Sequence, residues 1–137
     1  EQAANHAKRN QCIFSLLFID LDGFKRVNDL RGHDKGDYYL KKLAKLLTRS
    51  VRSSDTVARI GGDEFVILLD GITQAQEAET VANKLTEMIR RDIDTEEHLV
   101  TASIGVSTFP KDGANPESLL KAADQAMYEI KRKLKEE

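Results

Sequence analysis

Cysteine, proline and tryptophan are nearly missing from this chain: of 137 residues, one is Cys, two are Pro and none is Trp. The lone thiol, Cys12, forbids an internal disulfide, so the fold must rest on its own core, and a reducing cytoplasmic setting fits. Within Cys12-Ile13-Phe14 it reads as a small buried hydrophobe. Long apolar runs are missing too. The longest candidate, Ile13 to Ile19, stops at Asp20, far short of the ~20 residues of a membrane span. No signal-peptide pattern precedes it, so no membrane contact is expected of this domain. Nor does one sign of charge dominate. Lys and Arg number 21 and Asp and Glu 23, for a net −2, which excludes the broad positive field of a non-specific nucleic-acid binder. Any phosphate ligand needs a specific site.

What is present suits one soluble domain covering residues 1–137. With 40% apolar and 32% charged residues, a chain this long buries about two thirds of its unfolded surface. There is no initiator Met, and the chain reads as an N-terminally truncated piece of a longer protein. Residues 13–19 are apolar almost throughout, as expected of a central strand buried on both faces, and Asp20-Leu21-Asp22-Gly23 ends the run. From Asp34 to Val51, Leu40, Leu43, Ala44, Leu47 and Val51 recur at helical spacing. Residues 56–59 and 65–69 read as strands joined through Ile60-Gly61-Gly62-Asp63-Glu64, a hairpin with acids at its tip. A second helix carries Ala78, Val81, Ala82, Leu85, Met88 and Ile89, and Leu99–Phe109 reads as a strand. A final helix follows Asn115-Pro116, an N-cap with Pro at the first helical position. With a partial helix over residues 1–10, the order predicts an α+β fold with a ferredoxin-like βαββαβ core, its antiparallel sheet flanked by helices.

In that topology the first strand and the hairpin lie side by side, which carries Asp20 and Asp22 towards Asp63 and Glu64. Carboxylates this close repel, and the usual remedies are raised pKa values or a bound divalent cation. The donors are hard oxygens with His33 as the only nearby imidazole, which favours Mg²⁺ or Mn²⁺ over Zn²⁺. Acids at turn tips are also ordinary solvated surface. Gly23-Phe24-Lys25 offers backbone N–H groups and an ammonium at a strand-to-helix turn, suitable for a polyphosphate. Asp37 could accept the two N–H donors of a guanine edge and Asn28 read the adjacent groups; helix capping explains both equally well on spacing.

Taken together, Phe18–Asp29, Gly32–Asp37, Arg59–Phe65, Thr101–Val106 and Ala123–Tyr128 resemble, in order and spacing, the GGDEF family of diguanylate cyclases, across roughly residues 13–131. The resemblance implies condensation of two GTP into cyclic di-GMP with release of two pyrophosphates, on a fold related to the polymerase palm and the nucleotidyl cyclases. It implies Asp20 and Asp63 as ligands of Mg²⁺ or Mn²⁺, two ions per active site, with the Leu21 carbonyl assisting and Glu64 as metal ligand or base. Gly23, Phe24 and Lys25 would hold phosphates, together with the Gly61-Gly62 turn. Asn28 and Asp37 would read guanine, and Lys131 would reach back to the triphosphate. Because each chain supplies one GTP site and each product needs two, catalysis implies a homodimer.

The resemblance also implies regulation. Arg52-Ser53-Ser54-Asp55 lies in the register of the family's RxxD site, where cyclic di-GMP binds as inhibitor, and Lys84 could add a second cation; an exposed Arg and Asp after a helix is the plainer alternative. A receptor that binds GTP or cyclic di-GMP without catalysis is the alternative function. The family's Asp-x-Leu-Thr-Gly-Leu-x-Asn-Arg segment, expected upstream of residue 1, is not in the chain. Beyond Lys131, Lys135 stands where an Arg is usual, so a point charge replaces a bidentate fork. An upstream sensory domain is implied; its input, and whether the parent is anchored in the inner membrane, are not legible.

Overall fold

The computed structural model describes residues 13–93 and 101–136; the expected helix over 1–10, Cys12 and the start of the strand at Leu99 lie outside them. Eight elements follow in chain order: β1 (Ile13–Asp22), α1 (Phe24–Arg31), α2 (His33–Ser50), β2 (Thr56–Arg59), β3 (Glu64–Ile72), α3 (Ala75–Asp92), β4 (Thr101–Phe109) and α4 (Pro116–Glu136). The sheet runs β2-β3-β1-β4, and every neighbouring pair is antiparallel. This is the ferredoxin-like order with two helices added, α1 ahead of the first crossover helix and α4 after the last strand. Helix α4 falls where the sequence puts it, whereas α1 begins at Phe24, where Gly23-Phe24-Lys25 reads from the sequence as a strand-to-helix turn. The eight residues of α1, FKRVNDLR, are too short and too polar to show a helical stripe, and α1 and α2 break at Gly32, whose N–H returns to the Asn28 carbonyl at 2.9 Å.

Strand β1 lies inside the sheet, and its period of two divides the core. Leu17, Ile19 and Leu21 meet α2 and α3 on one face, while Phe14, Leu16 and Phe18 meet α4 on the other. That two-sided burial is why the segment is apolar at nearly every position. Asp20 and Asp22 continue the second series, as does Glu64 with Val66 and Leu68 on β3, so all three acids belong to the face that α4 covers. Among the described residues no helix is long and apolar enough to cross a membrane.

Helix α4 starts at the expected cap, where the Ser118 N–H donates to Asn115 Oδ1 at 2.8 Å. Its seat on the sheet depends on Gly105 of β4, because a Cβ there would overlap the Ala123 carbonyl and the Met127 amide. With the backbones this close, Ala123 and Met127 are buried against the sheet. Lys131 is the next residue along that stripe, one turn past Met127. Close packing in mid-sheet therefore delivers a lysine to the sheet's acidic end.

Candidate active site

The ends of β1 and β3 meet where the sequence places its carboxylates. Asp20 pairs across the ladder with Glu64, and the Leu21 N–H donates to the Asp63 carbonyl at 3.4 Å. The tip between the strands is tight: Ile60 and Gly61 N–H groups both donate to the Glu64 carbonyl, at 3.0 and 3.4 Å. Arg59 braces it from outside, with Nε 3.1 Å from the Gly61 carbonyl and Nη2 2.8 Å from that of Gly62. Linear pattern does not mark this role of Arg59, which stands two residues before the Gly-Gly pair.

On the other side of the tip, α1 and α2 form one wall of a cleft of about 320 Å³, lined by Phe24, Lys25, Asn28, His33, Asp37, Leu40, Arg59, Gly62 and Asp63. Lys25, Asn28 and Asp37, singled out separately from the sequence, thus share one cavity with Asp63. The capping alternative for Asn28 and Asp37 does not hold. Both lie inside helices whose N-caps, Gly23 and Gly32, carry no side-chain cap. Asn28 instead packs on Gly36, where an added Cβ would strike its amide oxygen. Because Gly23 lends no side chain, the first N–H groups of α1 carry no side-chain cap. His33, the nearby imidazole of the sequence, and Leu40 complete the lining; only the tertiary approach of α2 to the tip marks Leu40.

Lys131 reaches the acids from α4, with Nζ 3.0 Å from Asp20 Oδ2 and 3.5 Å from Asp22 Oδ1. The pair is lopsided. Burial alone would pull the Lys131 ammonium down, but its hydrogen bond to Asp20 and the charges of Asp20 and Asp22 outweigh that and hold it above its ordinary value. Asp20 is nevertheless pushed up: desolvation, aided by repulsion from Asp63 and Asp22, outweighs what Lys131 returns. Glu64 is raised for the same first reason, with repulsion from Asp20, Asp63 and Asp124 added. Lys135 belongs to the last turn of α4, its side chain outside the described set.

Among the described residues, no three His, Cys, Asp or Glu side chains converge closely enough to hold a metal ion by themselves. The chemistry of the site fits a hard divalent cation all the same. Asp20 Oδ1 is buried with no hydrogen-bond partner, beside carboxylates that repel one another. Two carboxylates and a backbone carbonyl are the kind of incomplete oxygen set that Mg²⁺ tolerates, since it keeps waters and substrate phosphates for its other positions.

Arg52 and Asp55 lie elsewhere, at the turn between α2 and β2. Asp55 Oδ2 accepts from the Arg52 N–H at 2.9 Å and from Arg52 Nε at 3.3 Å, its Oδ1 accepts from the Asp70 N–H at 3.1 Å, and Arg52 Nη2 donates to the Asp70 carbonyl at 2.7 Å. A separate cavity of about 240 Å³ opens here, lined by residues that include Arg52, Asp55, Ile72, Glu77 and Val81. Lys84 is exposed on α3, one turn beyond Val81.

The chain matches the family described as "Diguanylate cyclase, GGDEF domain" over residues 1–137. It is 44% identical over 133 residues to the bifunctional diguanylate cyclase/cyclic di-GMP phosphodiesterase MucR of Pseudomonas aeruginosa, covering 96% of this chain and 19% of that protein. It is 43% identical over 119 residues to the cyclic di-GMP phosphodiesterase NbdA of the same species, covering 85% of this chain and 15% of that one. The chain thus spans less than a fifth of the length of either. Its fold superposes on the crystal structure of the GGDEF domain of YfiN, or TpbB, from Pseudomonas aeruginosa with a TM-score of 0.90 at 34% identity, covering 96% of this chain and 84% of that one. With residues of three of the sequence motifs lining one cleft and the match running from end to end, the chain belongs to the GGDEF family, the catalytic domain of diguanylate cyclases.

Proposed function

We propose that this chain is an active cyclase domain that condenses two GTP into cyclic di-GMP and two pyrophosphates, as a homodimer in which each protomer brings one GTP. The observation that carries this reading is the shared cleft. Lys25 and the start of α1, suited to phosphates, and Asn28 with Asp37, suited to guanine, line one cavity that ends at Asp63. In each half-reaction a 3′-oxygen bonds to the α-phosphorus of the facing GTP, the bond to the β-phosphate breaks, and pyrophosphate departs with the electron pair. Asn28 and Asp37 fix the base, and the first N–H groups of α1 with Lys25 hold the triphosphate, so that reaction follows from positioning. Glu64, raised above its ordinary value, suits acceptance of the hydroxyl proton or a share in the metal; Glu64→Gln separates the roles. A bound Mg²⁺ or Mn²⁺, held by Asp20, Asp63 and the Leu21 carbonyl, would supply charge neutralisation at the α-phosphate and the leaving group. Lys131 would turn from Asp20 towards the triphosphate, with Lys135 nearby on the same helix. Arg52, Asp55 and Lys84 would bind product as inhibitor. We place the reaction in the cytoplasm, with sensory input arriving through the rest of the parent protein.

The test is to incubate the chain with GTP and Mg²⁺ at increasing protein concentration and to measure cyclic di-GMP by liquid chromatography. Product whose specific yield rises with concentration supports the dimeric cyclase. GTP binding with no product at any concentration would favour the receptor reading, which draws support from the lack of three converging metal-binding side chains among the described residues. Specific yield that stays constant across the dissociation range counts against the dimer.

A further inference from the structure

One ammonium lies between two acids that are held very differently. Asp22 accepts from Thr101 Oγ1 at 3.0 Å and from Ser103 Oγ at 2.9 and 3.0 Å, so hydroxyls on β4 engage both its oxygens. Asp20 meets Lys131 through Oδ2 alone, and its Oδ1 is buried without a partner. The distances from Nζ, 3.0 Å to Asp20 and 3.5 Å to Asp22, differ so little that the ammonium needs only a small turn to pass from one to the other. Lysine suits such a move, with three donors on a flexible stem.

We propose that Asp22 is a positioning residue for Lys131: an anchor, fixed by Thr101 and Ser103, onto which the ammonium withdraws when a divalent cation takes Asp20. The proposal rests on the metal reading of Asp20 and Asp63 given above. An ammonium seated on Asp20 opposes a cation at the same carboxylate, so cation affinity in the absence of nucleotide is reduced by the fraction of chains in which Lys131 holds Asp20. Asp22 makes the exchange easy by keeping the displaced ammonium partnered, and it keeps Lys131 at the edge of the site. Because hydroxyls already engage both its oxygens, Asp22 is better suited to anchor than to ligate. The Thr101-Ala102-Ser103 segment therefore acts on the site through Asp22 and Lys131.

Binding of Mn²⁺ to the full chain without nucleotide, with free Mn²⁺ counted by electron paramagnetic resonance, tests this. Lys131→Met is expected to tighten binding about tenfold, an ordinary size for coupling between competing ligands, while Lys131→Arg leaves it weak. Asp22→Asn is expected to weaken binding roughly fivefold in the wild-type background and to have no effect beside Lys131→Met. Should Asp22→Asn fail to fold, as judged by circular dichroism, Ser103→Ala serves instead, with a loss of about twofold that again requires Lys131. Binding no tighter in Lys131→Met overturns the exchange and leaves the metal reading standing. So does a loss in Asp22→Asn that is equal in both backgrounds, since Asp22 would then attract the cation directly. If no form binds Mn²⁺, or if binding ignores Asp20→Asn and Asp63→Asn, the metal reading falls and the exchange with it.

Discussion

Two acid–base pairs, Arg52–Asp55 and Lys131–Asp20, sit in different parts of the domain and are built on opposite plans. At the turn after α2, Asp55 has a side chain only 2% exposed and both oxygens filled, by the Arg52 backbone and side chain and by the Asp70 N–H. At the acidic end of the sheet, Asp20 keeps one buried oxygen without a partner, and its carboxyl and that of Glu64 are pushed up by desolvation and mutual repulsion. A filled acid holds the fold together. An acid left wanting has free energy to offer a ligand, and the fold carries that cost until one arrives. Asp55 is thereby committed to tying the turn to β3, while Arg52, with 57% of its side chain exposed, keeps a face open to solvent.

The contrast is broken or sharpened first by Asp63→Asn. Cyclic di-GMP formation is expected to fall by roughly a thousandfold or more, with no loss of melting temperature, because one of several repelling charges is gone. A parallel fall in melting temperature would place Asp63 with Asp55 among the structural acids. Next, Asp55→Ala is expected to cost about 2 kcal/mol in urea denaturation, since it removes at once the acceptor of the part-buried Asp70 N–H and that of the Arg52 backbone N–H and Nε. A loss of cyclic di-GMP affinity at unchanged stability would instead make Asp55 a ligand group with no structural duty.

A smaller effect is expected from Gly36→Ala, which pushes on Asn28 without touching a charge. Affinity for a non-hydrolysable GTP analogue should drop about tenfold by calorimetry, and unchanged affinity would remove Asn28 from base recognition. The smallest is Glu64→Gln. With its folded pKa raised above the ordinary 4.5, Glu64 holds its proton more tightly folded than unfolded, so stability is lost as pH rises through that window. In metal-free buffer the variant should match the wild type below pH 4.5 and exceed it above the raised value, by under about 1 kcal/mol given partial exposure. A variant less stable than the wild type at neutral pH would show Glu64 to be stabilised where it stands.

Much of the fold was legible because its long elements carry strong periods. The two-sided run at residues 13–19, the stripes of α2, α3 and α4 and the Asn115 cap all fall where the pattern puts them. Helix α1 was not legible, since eight mostly polar residues bury too little to leave a stripe. Of the candidate site, the motif residues were readable one at a time. Of what their spacing left open for Asn28 and Asp37, the packing of α1 and α2 against the hairpin tip shows that neither caps a helix and that both line the cleft. The bracing of the tip by Arg59 and the hold of Thr101 and Ser103 on Asp22 involve ordinary polar residues, for which linear pattern holds no signal.

The chain's order of residues by itself determined the element types, the burial of β1 on both faces and the carriage of acids to the ends of two strands, because periodicity and strand parity are local properties. The tertiary structure alone decided which charge answers which. Lys131 stands 111 residues from Asp20 in sequence, and it arrives there because Gly105 lets α4 lie close on the sheet and the helical repeat carries Ala123, Met127 and Lys131 along one line. Pairing across such a separation depends on packing distances that no local pattern encodes, and it separates the acid that is satisfied from the one that waits.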